Sequence, residues 1–140
     1  MIARLSALFL LSWMSATALA SPADDNARVV GVWKGAEGSL PVITLTITEQ
    51  SGKLTGAALF YLIRGAPGTE RTTSPGIPEP LIDPSFDGKT FTFKVSHRHA
   101  HKGTEHDPPV SLRMELTGPN SARAFGPEGA SVVMMRENIY

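Results

Sequence analysis

From Arg28 onward, nearly every segment of this chain alternates apolar and polar residues with a period of two, and glycine or proline interrupts the runs at short intervals. A strand places successive side chains on opposite faces, so this pattern suits half-buried β-strands and does not suit a helix, whose apolar stripe recurs every three or four residues. Val42–Thr48 (VITLTIT) is the clearest case, with Ile43, Leu45 and Ile47 on one face and Thr44, Thr46 and Thr48 on the other. Val29–Trp33 precedes it as a first strand. Gln50-Ser51-Gly52-Lys53 reads as a turn, because Gly52 adopts positive φ at little steric cost. Leu54–Ile63 returns as a strand that becomes apolar on both faces, as a strand covered twice or lining a cavity would.

Gly65–Pro80 holds four prolines and three glycines in sixteen residues and reads as a loop, since proline removes ladder donors. A loop of that length within a compact domain tends to be functional or disordered. After Leu81-Ile82, a break at Pro84 and a turn at Asp87-Gly88, Thr90–Ser96 alternates again with Phe91, Phe93 and Val95 on one face. Val110–Thr117, Ala122–Phe125 and Ser131–Arg136 complete the pattern, separated by Gly118-Pro119-Asn120 and Gly126–Gly129. The expectation is an all-β fold of seven or eight strands: an antiparallel up-and-down β-barrel, or a closely related sandwich.

The ends set the compartment. Arg4, the apolar run Leu5–Met14 and Ala18-Leu19-Ala20 have the order of a secretory signal, which predicts cleavage before Ser21. The apolar run is shorter than the ~20 residues of a membrane span, so no membrane span is expected after cleavage. The predicted domains are residues 1–20 as signal, 21–28 as a flexible polar lead-in and 29–140 as one barrel, in a periplasmic or secreted protein. The chain has no cysteine. It therefore has no disulfide, no lipid-anchored N-terminal cysteine and no thiol chemistry, and burial alone must hold the fold. Without Arg4 the remainder carries twelve Lys/Arg against thirteen Asp/Glu. With no basic stripe, nucleic acid is not an expected partner. No pattern speaks to oligomeric state.

Gly31-Val32-Trp33, followed by Lys34-Gly35 on the opening strand, together with Arg136 on the closing strand, resembles the calycin group of lipocalin-like and avidin-like barrels. Gly31–Gly35 and the stretch Gly52–Gly56 (GKLTG) are also similar to small exported bacterial proteins of unassigned function. The calycin resemblance implies that Trp33 packs across the barrel bottom under Arg136, a cation–π contact worth about 0.5–2 kcal/mol that ties the first strand to the last. It does not extend to a ligand site. Avidin-type pockets use several tryptophans, and only Trp33 remains after residue 20. The disulfide and C-terminal helix usual in lipocalins are likewise missing from the sequence.

All four histidines fall in Ser96–Asp107: His97, His99, His101 and His106. The first three share the parity of Phe91, Phe93 and Val95, so a continuing strand would turn its core stripe into imidazoles. Alternate residues lie about 6.6 Å apart at Cα. An adjacent pair, joined by His106, Glu105 or Asp107, would suit Zn²⁺ or Cu²⁺. The alternatives are a solvated polar strand end and a pH-responsive loop. No catalytic motif stands out: there is no nucleophile elbow, no H-E-x-x-H and no phosphate-cradling glycine loop, and Glu105-His106-Asp107 reads as a polar turn. The expected function is a non-catalytic exported module that binds a small ligand or acts through its surface. A metal-binding protein and a structural protein of the cell envelope are the alternatives.

Overall fold

A computed structural model describes residues 25–96 and 108–138. Its strands are β1 (Gly31–Glu37), β2 (Leu40–Gln50), β3 (Lys53–Arg64), β4 (Thr72–Pro75), β5 (Glu79–Pro80), β6 (Ile82–Phe86), β7 (Thr90–Val95), β8 (Val110–Gly118), β9 (Ser121–Phe125) and β10 (Ser131–Arg136). They form one antiparallel curled sheet in the order β4-β3-β2-β1-β10-β9-β8-β7-β6, with β5 added to β3. The first and last long strands pair directly, and Trp33 stands opposite Arg136.

The two ends of the sheet meet through one bent segment. Pro80 and Glu79 of β5 pair with Ala57 and Ala58 of β3, and the Leu81 N–H donates to the Gly56 carbonyl at 3.0 Å. From Ile82 the same segment pairs with β7 instead. The partner change falls beside an irregularity between Ile82 and Ser85, where Asp83 takes φ 48°. Such a bulge bends a strand and strengthens its twist. The fold is thus an all-β, barrel-like antiparallel sheet.

Among the described residues the sheet has ten strands rather than seven or eight, and the Gly65–Pro80 run supplies the two unexpected ones. Proline did not prevent pairing there. The Gly76 N–H donates to the Phe60 carbonyl at 2.8 Å, so alternation turns the nitrogen of Pro75 away from β3, where no donor is needed. Pro80, just before Leu81, follows the same rule. Pro75 also removes a donor from the free side of β4, which blunts an exposed sheet edge.

The alternation expected from the sequence sorts the side chains. Trp33, Ile43, Leu45, Ile47, Ala58, Phe91, Phe93, Val95, Met114, Ala122, Ala124 and Met134 are buried and form the inner face with Val29. Small inward residues on β1 and β9 let the large ones interdigitate. A Cβ on Gly35 would come within 2.6 Å of Met134 Sδ and 2.9 Å of Ile43 Cγ2.

The strand expected to begin at Val29 begins at Gly31, because Asp25–Val29 coils into a single turn (Arg28 N to Asp25 O and Val29 N to Asn26 O, both 3.0 Å). This turn plugs one pole of the barrel. Asn26 is buried and its Nδ2 reaches the Gly52 carbonyl, while Arg28 donates to the Gly88 carbonyl at 2.6 Å. The packed structure therefore starts upstream of Val29, inside the expected polar lead-in.

The β6–β7 turn is held by Asp87, whose Oδ1 accepts the N–H groups of Thr90 at 2.7 Å and Lys89 at 2.9 Å. Those donors, Thr90 first, hold the carboxyl below its ordinary pKa. Its contribution is present above the unfolded value of about 4 and is lost as pH falls through the lowered folded value. Asp87→Asn keeps the acceptor without the charge, so the acid limb of a pH–stability profile should flatten in urea titrations.

Candidate functional site

The pole with Trp33 is filled. Its indole is fully buried, and Nε1 donates to the Val29 carbonyl at 2.8 Å. The Arg136 guanidinium lies 4.7 Å from the ring centroid, within cation–π range, and a terminal nitrogen donates to the Arg28 carbonyl. Gly31, opposite this contact, takes φ 140°, a conformation that residues with a Cβ rarely adopt, with the Arg136 side chain at ordinary contact distance. Phe91, Leu45, Ile47, Met114 and Met134, all fully buried, belong to the same core cluster as the indole.

The opposite pole is different. There the end of β1, the starts of β2, β8 and β10, and the ends of β3 and β9 surround a cup of about 510 Å³. Ile43, Phe60, Leu112, Ala124 and Val132 give it an apolar wall. Ala124 and Gly126 on the β9 side supply little bulk, which leaves the space open. Charge reaches the cup only at its rim, from Glu37 and Arg123. Both are already engaged, Arg123 with Ser131 Oγ at 3.2 Å and Glu37 with Arg71 at 3.9 Å. Beyond the rim the inward face of β3 continues past half-buried Phe60 to Leu62, a large apolar side chain 57% exposed.

A second depression of about 340 Å³ involves mostly outward polar residues of β7 and β8, Thr92, Lys94, Ser111 and Arg113 among them. Arg113 is stacked 4.3 Å over Phe125 there. It lacks the apolar wall of the cup. No protein-family model matches the chain, and neither does any curated protein or solved structure. The cup must therefore be read from its own chemistry.

His97, His99, His101 and His106 lie outside the described residues, as do Glu105 and Asp107. The stripe that would lead to them is inward-facing as far as Val95, which is 4% exposed. Among the described residues no group of three or more His, Cys, Asp or Glu side chains is placed to hold a metal ion. Among the same residues no helix is long and apolar enough to cross a membrane.

Sequence reasoning named Trp33 and Arg136 but none of the cup residues. Each belongs to a strand whose inward face was readable, yet nothing in one strand says where the filled layers stop. The signal available was the run of small inward residues Ala122, Ala124 and Gly126, facing Phe and Leu positions elsewhere. Glu79, buried opposite Ala58 on β5, was also missed because it sits in the proline-rich run read as a loop.

Proposed function

We propose that this chain is an exported, non-catalytic binding module that takes one small apolar molecule into the open end of its barrel. The observation that carries this reading is the cup of about 510 Å³ walled by Ile43, Phe60, Leu112, Ala124 and Val132. Its size falls within the ~300–1,000 Å³ of ordinary ligand pockets, and a mostly apolar wall with a few polar rim groups is their usual composition. Small barrels either fill themselves with side chains or hold one ligand. Here the Trp33 half is filled and the other half is open, which favours a shallow site over a deep one. The signal-like residues 1–20 support export.

Uptake of a neutral solvatochromic dye by the full chain, followed by competition with aliphatic alcohols of increasing length, tests the proposal. Saturable binding at one site per chain is expected, with competition strengthening as methylenes are added at about 0.8 kcal/mol each. Ala124→Phe fills the cup from its β9 wall and should abolish uptake while the circular dichroism spectrum is retained. Uptake unchanged in that variant would move the site elsewhere. Absence of saturable uptake in the parent chain would leave the barrel acting through its surface.

A further inference from the structure

The filled pole carries two arginines that apolar binding at the cup does not use. Arg28 and Arg136 both line an open groove of about 570 Å³ between the plug turn and the Leu116–Pro119 turn. Among the described residues, no carboxylate belongs to its walls. The two side chains are brought there by the fold itself. Arg136 is pinned over Trp33 and donates to the backbone carbonyl of Arg28. Arg28 is pinned through the Gly88 carbonyl, with its guanidinium 5.9 Å from the Phe86 ring.

The hydrogen-bond acceptors of these two guanidinium groups, among the described residues, are backbone carbonyls. Among the described residues, no Asp or Glu oxygen forms a salt bridge with either. Asp25, on the same plug turn as Arg28, has its Oδ2 beside Gly88 but forms no ion pair with Arg28, and two further acids near these segments are committed to other groups. Glu137 is paired with Lys34 at 2.8 Å, and Asp87 accepts two N–H groups of its own turn. Arg136 Nε is buried without a hydrogen-bond partner. Burial also lowers the Arg136 pKa, as happens when a cation loses water without gaining a counter-charge. A partly desolvated cation with no counter-charge among the described residues is costly, and an anion entering the groove offsets that cost.

We propose that this groove binds a small oxyanion, a carboxylate or phosphate group, between Arg28 and Arg136. The planar guanidinium fork suits both groups, and charge-assisted hydrogen bonds to it are about twice as strong as neutral ones. This site lies at the opposite pole from the apolar cup and stands whether or not the cup takes a ligand.

Titration of the full chain with inorganic phosphate and, separately, acetate tests it, with chloride holding ionic strength constant. The readout is the pair of arginine Nε–Hε NMR signals of Arg28 and Arg136. Both should shift saturably with at least one of the two anions, and the ratio of affinities tells phosphate from carboxylate recognition. Arg28→Gln, which can still donate to Gly88, should weaken binding about tenfold or more with the circular dichroism unchanged. Arg28→Lys keeps the charge without the fork and should lose less. Shifts no larger than those given by chloride would overturn the proposal, and so would an affinity that Arg28→Gln leaves unaltered.

Discussion

Trp33→Ala is expected to cost about 3–5 kcal/mol, enough to unfold most of the population if the domain has the ordinary stability of about 5–15 kcal/mol and lies toward the low end. Three losses coincide at this position. The fully buried indole leaves a void between Leu45 and Arg136, its partners in register on either side. The Val29 carbonyl loses its 2.8 Å donor. Arg136 loses the ring beneath its guanidinium and keeps only its hydrogen bond to the plug. Trp33→Phe retains part of the volume and a π face but no donor, so it should fall between the parent and the alanine variant. Urea unfolding followed by far-UV circular dichroism separates the three proteins. An alanine variant within 1 kcal/mol of the parent would show that the β1–β10 junction does not hold the barrel together.

The same residue marks how far the sequence could be read. Trp33 and Arg136 were paired from a resemblance before any register was known, and alternation placed Ile43, Leu45, Ile47, Phe91, Phe93 and Val95 on the inner face, where they are buried. These are local signals, carried by residues two apart. What the sequence did not reveal is assembled over distance. The sheet closes through Glu79–Phe86, where a proline-laden stretch reads as a breaker, yet the Pro80 nitrogen points off the β3 ladder and Pro84 falls in the irregularity between Ile82 and Ser85. The cup draws Ile43, Phe60, Leu112, Ala124 and Val132 from five different strands, so no window of sequence contains it. Arg28 looked like part of a polar lead-in because its partners are backbone carbonyls and a distant guanidinium rather than side chains with a recognisable spacing.

Gly56→Ala should be the most damaging single-methyl change in the chain, costing at least ~2 kcal/mol through a backbone conformation rare for L residues and a direct clash. Gly56 sits within β3 opposite Ile47, at φ 157°. A Cβ there would lie 1.9 Å from the Thr46 carbonyl oxygen and 3.2 Å from the Ile47 Cα. Both are backbone atoms of a paired strand, so neither can rotate away as a side-chain tip could. Relief requires β2 and β3 to separate in the middle of a ladder that runs from Ile43↔Phe60 to Gln50↔Lys53. The Gly56 carbonyl also accepts from Leu81, so the displacement reaches the segment that closes the barrel. Gly52→Ala provides the contrast within the same GKLTG stretch. Gly52 has φ 79° but no atom within 4 Å of a built Cβ. It should lose only the cost of a left-handed alanine, about 1 kcal/mol. Thermal unfolding of the two variants beside the parent reads the difference directly. Equal losses would mean that positive φ alone sets the requirement for glycine and that the close approach of β2 to β3 at Gly56 is not maintained in solution.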